Sequence, residues 1–225
     1  IGMGFRVNLT SEKPGQSIRF TIDGSEPSID SPLFNEPFSI NQTTTVKTAL
    51  FINGKKAGQT TKKTFHFHKA VGKNVKYAIS HKHKYSGAGP FTLVDGLIGT
   101  TSYNDGYWQG WEVDNMDVVI DLQNTEIITQ VSVGLLESHQ SWIFLPTYVK
   151  FSFSDDGNDF QNEKTVALND GERNGKPNRQ VAEISNIGYP SRFIRVQAIN
   201  RKICPEWHRG VGGKAWVFSD EIVVE

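Results

Sequence analysis

Seven large aromatic side chains, Tyr103, Tyr107, Trp108, Trp111, Trp142, Trp207 and Trp216, fall after residue 100, mostly in loop-like sequence. Rings at loop ends suit a ligand that is flat and apolar on one face and polar at its edges. A sugar ring answers that description, because its C–H face gains from apolar burial while its hydroxyls need fixed donors and acceptors. Trp111, Trp142 and Trp207 are the stacking candidates. Glu137, His139, His208 and Arg209 supply hydrogen-bonding groups, with Asn104 and Asp105 as second choices. Trp108 and Trp216 border strand-like sequence and are assigned to the core. Three loops, Tyr103 to Trp111, Glu137 to Trp142 and Ile203 to Trp216, would have to converge at one end of a scaffold.

The other reactive side chains make poorer constellations. His66 and His68, like His81 and His83, are spaced as half of a transition-metal site, but neither pair has an apparent third ligand and an exposed strand face explains both. Cys204 lies four residues before His208 with Pro205 between them and no orienting partner, so a buried thiol is expected rather than a nucleophile. Asp23 and Glu26 occupy an exposed turn. Asp155 and Asp156 are adjacent at a strand end and point apart, unlike a glycosidase pair. Gly210, Gly212 and Gly213 are followed by no Lys-Ser/Thr pair, so they do not form a phosphate loop.

The elements that must position these residues are strands. Two-residue alternation, broken by Gly, Asn and Asp, runs through the chain with no sustained helical period. Ile18, Phe20 and Ile22 share one face before Asp23-Gly24. Val46 to Ile52 alternates up to Asn53-Gly54, a strong hairpin signal. Val118 to Leu122, Ile127 to Leu136, Tyr148 to Ser154, Phe193 to Ala198 and Trp216 to Val224 read as further strands. Alternation lapses near Lys69 to Lys73, which places a boundary there and gives two all-β domains, 1–70 and 71–225. The first is a small sandwich and the second a jelly-roll or related β-sandwich.

Composition narrows the partners. The 24 Lys and Arg balance the 24 Asp and Glu, so no basic stripe is available for a row of phosphates and nucleic acid is not expected. No apolar run reaches the roughly 20 residues of a membrane span. The single cysteine cannot form an internal disulfide, which fits a bacterial exported protein better than an animal extracellular one. The start, Ile1-Gly2-Met3-Gly4-Phe5, reads as a cut from a longer chain.

Two family resemblances follow from particular residues. Phe20-Thr21-Ile22-Asp23-Gly24-Ser25-Glu26-Pro27 with Ser31-Pro32-Leu33-Phe34 resembles the C-terminal immunoglobulin-like domain of chitobiases and bacterial β-hexosaminidases, over residues 5–68. The segments Leu93-Val94-Asp95-Gly96, Val119-Ile120-Asp121-Leu122, Phe153-Ser154-Asp155-Asp156-Gly157, Arg192-Phe193-Ile194-Arg195-Val196 and Ser219-Asp220-Glu221-Ile222 resemble the coagulation-factor type C, or discoidin, domain that bacteria use as carbohydrate-binding module family 32. The second resemblance implies a galactose-binding-domain-like sandwich with a structural calcium held by Asp95, Thr100 or Thr101 and Glu221, together with main-chain carbonyls near Leu93 and Leu97.

Together the resemblances imply the non-catalytic tail of an exported bacterial glycoside hydrolase, located in the periplasm, at the cell surface or outside the cell. Its catalytic domain would precede it, and galactose or N-acetylhexosamine termini would be its ligands. A monomer is expected. The competing reading is an adhesion or protein-interaction module that binds no sugar.

Overall fold

A computed structural model describes residues 5–11 and 15–225. The chain divides into two compact units, Ile1–Phe67 and His68–Glu225, a division a few residues earlier than alternation alone suggests. The all-β class read from the sequence is the class observed. Among the described residues the only helices are three short 3-10 turns, His83–Tyr85, Thr92–Val94 and His139–Ser141, and no helix is long and apolar enough to cross a membrane.

In the first unit, β1 (Phe5–Val7) pairs with β3 (Phe38–Ile40), while β2 (Ser17–Thr21), β4 (Thr44–Ile52) and β5 (Lys55–Phe65) form a three-stranded antiparallel sheet in the order β2-β4-β5. Asn53 and Gly54 take left-handed φ values of 48° and 77°, so Ile52 pairs directly with Lys55 across a two-residue turn. Phe20 of β2 stacks on Phe38 of β3 with ring centroids 4.5 Å apart, linking the two sheets. The turn carboxylates hold structure: Asp23 accepts the Ser25 N–H at 3.0 Å, and Glu26 joins Lys47 and Thr60, each at 2.7 Å.

The second unit contains β6 (Asn74–Ile79), β7 (Gln109–Glu112), β8 (Met116–Glu137), β9 (Tyr148–Ser154), β10 (Gln161–Ala167), β11 (Asn178–Ala198) and β12 (Trp216–Val224), all antiparallel where they pair. Two of these strands are long enough to serve both layers. Met116–Asp121 of β8 pairs with β6 and with Phe193–Ala198 of β11, which continues through β9 to β10. Beyond register shifts at Ser185/Tyr189 and Ser191/Phe193, Gln130–Glu137 of β8 pairs with Asn178–Ser185 of β11, and its other edge pairs with β12, which carries β7. A five-stranded layer thus passes into a four-stranded one through bulged strands that switch sheets. The result is a jelly-roll type of β-sandwich.

Alternate residues from both layers fill the core. Val118, Ile120, Leu122, Val131, Val133, Leu135, Val149, Phe151, Ile194 and Val196 are all buried there. The sequence reading separated Val118–Leu122 from Ile127–Leu136, yet they are one strand, with Gln123 at φ 71° marking the irregularity between them. The histidine pairs also need correcting. His68 lies outside β5 and is buried, with Nε2 2.8 Å from Glu221 Oε1, and His81 and His83 sit in the turn after β6 rather than on a strand face.

Candidate functional site

β8 ends at Glu137, and the chain closes a tight loop in which Ser138 and Ile143 exchange backbone hydrogen bonds. Trp142 takes a left-handed φ of 64° there and donates its N–H to the His139 carbonyl at 2.9 Å. Its carbonyl accepts the Trp216 N–H at 2.9 Å, fixing the loop to β12. A second loop, 203–215, packs against the first. Its Gly210 and Gly213 lie under the Trp142 ring, where a Cβ would come within 2.6 Å of ring carbons. The third loop, 168–177, was not singled out from the sequence. Its Gly171 donates to Glu137 Oε1 at 2.8 Å and its Asn174 N–H to His139 Nδ1 at 3.1 Å.

These loops bring Glu137, His139 and Asp170 together, with one ligand-type atom of each within 4.8 Å of the others. Glu137 is buried, and its Oε2 also accepts from Gln180 at 3.3 Å. The His139 ring is 2 % exposed, stacked on Phe144 at 5.2 Å and met edge-on by Trp207 at 4.9 Å. Asp170 Oδ2 accepts from Arg201 at 2.7 Å, and the Arg201 guanidinium covers the other partner of His139, the Phe144 ring, at 4.8 Å. Two buried polar atoms in this group lack a hydrogen-bond partner: His139 Nε2 and Asp170 Oδ1. Nε2 is 3.0 Å from Glu137 Oε1, but not aligned to bond with it.

The tautomer follows from the neighbours. Because Nδ1 accepts the Asn174 N–H, the ring proton sits on Nε2. A metal on Nε2 would need that nitrogen's lone pair and an N–H at Nδ1 facing an acceptor. The group therefore does not fit a metal ion. The donor at Nε2 and the acceptor at Asp170 Oδ1 are both left unsatisfied, a cost that a polar group reaching them would relieve. Glu137 and His139 also line a pocket of about 200 Å³ with Gly171, Glu172, Lys176 and Asn178.

The other residues singled out from the sequence fall in different places. Trp207 is half-buried beside His139, with the Arg173 guanidinium 5.6 Å from its ring centre. Trp142 is half-buried against the glycines of loop 203–215. His208 has both ring nitrogens engaged, donating to the His139 carbonyl at 2.7 Å and accepting the Gly210 N–H at 3.1 Å, so it braces the loops and has no nitrogen left for a ligand. Arg209 is exposed and donates to the Gln140 carbonyl at 2.8 Å. Trp111 requires a correction: it is wholly buried in the main core, with Nε1–H donated to the Ile79 carbonyl at 3.0 Å, and cannot stack on a ligand.

The loop Tyr103 to Trp111 contributes nothing to the pocket lining. Asp105 shapes that loop by accepting the Thr100 and Tyr107 N–H groups, Asn104 is exposed beside it, and Trp108 lies in a smaller buried cluster against which Trp216 packs. Cys204 is buried with its Sγ 3.8 Å from the Lys214 carbonyl, and burial pushes its thiol up.

No curated protein matches the chain. Residues 7–65 match the family model described as Fn3 associated. Among solved structures, the chain is similar to a fucose binding module of Streptococcus pneumoniae, at 16% identity and TM-score 0.46 over 77% of this chain and 97% of that one. It is also similar to chitosan-binding module 1 of a Paenibacillus chitosanase/glucanase, at 16% identity and TM-score 0.42 over 71% of this chain and 99% of that one. A third is the lectin domain of lectinolysin complexed with Lewis B antigen, at 13% identity and TM-score 0.42 over 70% and 95% of the two chains.

Of the residues expected to hold calcium, Glu221 lies on β12. Glu221 is wholly buried; its Oε1 accepts the Gly96 N–H at 3.1 Å, and its Oε2 has no hydrogen-bond partner. Burial first, and then the neighbouring Asp95 carboxylate, push the Glu221 carboxyl well above the usual range. Two carboxyls facing each other in a dry site suit a hard divalent cation. Thr100 fits less well: it is exposed, its hydroxyl accepts the Ser102 N–H and its carbonyl accepts the Trp108 indole N–H.

Proposed function

We propose that this chain is a non-catalytic carbohydrate-binding portion of an exported bacterial glycoside hydrolase of chitobiase or β-hexosaminidase type. The pocket at Glu137 and His139 takes a terminal galactose or N-acetylhexosamine. The observation that carries this reading is a pair of buried polar atoms without a partner, His139 Nε2 and Asp170 Oδ1, beside a pocket that Glu137 and His139 line. Trp207, at the edge of His139, offers an apolar face for the sugar ring. Both oxygens of Glu137 already accept hydrogen bonds, so it serves as a fixed acceptor rather than an acid. Tethering supplies the benefit: even a module of millimolar affinity raises the local concentration of an attached catalytic domain on its glycan.

A glycan-array screen followed by calorimetric titration tests the reading. Asp170→Asn and Trp207→Ala should each weaken the best sugar at least about tenfold, or roughly 1.4 kcal/mol, with the fold intact. Silence across the array would sink it. The adhesion reading draws on Ile203 and Val211, exposed by 60% and 58% on loop 203–215. Free sugar would then fail to compete with the partner.

Calcium at Asp95 and Glu221 completes the proposal, pinning the loop after Val94 to β12. Without the ion, native Glu221 keeps a proton that the unfolded chain releases near pH 4.5. The folded state therefore binds more protons above that pH, and stability should fall as pH rises from there through the raised native pKa. Calcium displaces the proton and should abolish that fall. At a hundredfold excess over its dissociation constant, a bound ion stabilises by about 2.7 kcal/mol. Melting curves against pH, with calcium or with a chelator, should separate in wild type and coincide in Glu221→Gln. Curves that coincide in wild type would remove calcium from the account.

A further inference from the structure

We propose a second carbohydrate site on the outer face of the five-stranded layer, a lateral groove that takes the interior of a neutral, unbranched glycan chain. It is separate from the loop pocket and shares no residue with it. The groove has a volume of about 560 Å³, within the usual range of roughly 300–1,000 Å³ for ligand sites. The loop pocket, at about 200 Å³, is a terminal-sugar site by comparison.

Strand register builds it. With Val118, Ile120 and Leu122 in the core, alternation turns Asp117, Val119 and Asp121 outward. Across the layer, Lys76 pairs with Val119 and Val119 with Arg195, while Asn74 pairs with Asp121 and Asp121 with Phe193. The turn after β9 adds a wall through Asn158 and Phe160. Three strands, β6, β8 and β11, span about 10 Å at the normal spacing, and the turn after β9 extends the groove, enough for a short run of sugar rings.

The chemistry selects the occupant. Asp117 holds Arg195 through two bonds of 2.8 and 2.6 Å, and Asp121 holds Arg192 through two of 2.8 and 2.9 Å. These bidentate pairs leave rigid, planar polar edges on a floor whose charges are already matched. Lys76 and Asp156 add one charge of each sign. An anionic polymer finds no excess of cations, and a cationic one no excess of carboxylates. A peptide docking by strand addition would pair along a sheet edge, whereas this groove is lined by the faces of β6, β8 and β11 and by the turn after β9. Fixed hydroxyl partners beside Val119, Phe160 and Phe193 match a neutral chain of pyranose rings, apolar on their faces and polar at their rims.

The test uses amide and arginine Nε–H resonances of the 225-residue chain, titrated with cellohexaose, N-acetylchitohexaose, the corresponding monosaccharides and a heparin hexasaccharide. At least one neutral hexasaccharide should shift Val119, Phe193 and Arg195. Phe160→Ala and Val119→Lys should each weaken it at least tenfold, and Asp170→Asn should leave these shifts unchanged. Monosaccharides should perturb the surroundings of His139 instead. Absence of groove shifts with both neutral hexasaccharides, their loss in Asp170→Asn, or shifts with heparin alone would overturn the proposal. Failure of the loop pocket would appear separately, as monosaccharide silence with the groove still responding.

Discussion

Gly134→Ala should unfold the His68–Glu225 unit under conditions where the wild type is intact. A Cβ at Gly134 would overlap both Arg179 Nη2 and Asp220 Oδ1. Asp220 is wholly buried, and its carboxylate is satisfied by Arg179 Nε at 2.7 Å and Nη2 at 3.1 Å, the Gly99 N–H at 2.8 Å and the Glu221 N–H at 2.7 Å. Prising this pair apart leaves a charge in the interior without its counter-charge, at a cost of about 3–5 kcal/mol. The missing side chain at position 134 therefore makes room for an ion pair. Asp220→Ala should cost a similar amount by removing one partner outright. Urea denaturation measures both, and a loss below about 1 kcal/mol in Gly134→Ala would show that the strands yield around the added methyl.

Trp111→Ala and Trp207→Ala should separate stability from recognition. Trp111 is sealed among the residues joining the two layers, and its truncation should cost about 3–5 kcal/mol through the cavity alone. The Ile79 carbonyl would also lose its donor. The molecules that remain folded should bind sugar with unchanged affinity. Trp207→Ala should do the reverse, with a small stability change and a marked loss of affinity. Unfolding curves and titration of the folded fraction read both effects; a stable Trp111→Ala that no longer binds would return Trp111 to the ligand.

Strands whose alternation is clean were legible from sequence. Tyr148–Ser154 and Trp216–Val224 have the bounds that their periodicity suggests, and Asn53-Gly54 makes the expected hairpin. β10 and the first half of β11 were missed because a nearly fully exposed strand such as Gln161–Ala167 shows no apolar face. β10 forms a hairpin with the neighbouring β9, whereas the first half of β11 depends on β8, far back along the chain. Residue type could not distinguish the core Trp111 from the half-buried loop Trp207, since both lie near Gly-rich sequence and pairing of β7 with β12 carries the first into the core. Glu137 and His139 were found by proximity to Trp142. Asp170 was not, although Asn169-Asp170-Gly171 marks a polar loop, because nothing local says that the loop folds back on Glu137.

The passage of β8 and β11 from one layer into the other also bears on how the domain carries force. If the loop pocket holds a surface glycan as proposed, a pull there loads β8 at its Glu137 end. That tension travels down a continuous 22-residue strand into the opposite layer through peptide bonds, with β11 running beside it as a second tie. Sliding one sheet over the other would require stretching covalent chain rather than merely parting side chains. The two layers are therefore held together by main chain as well as by packing.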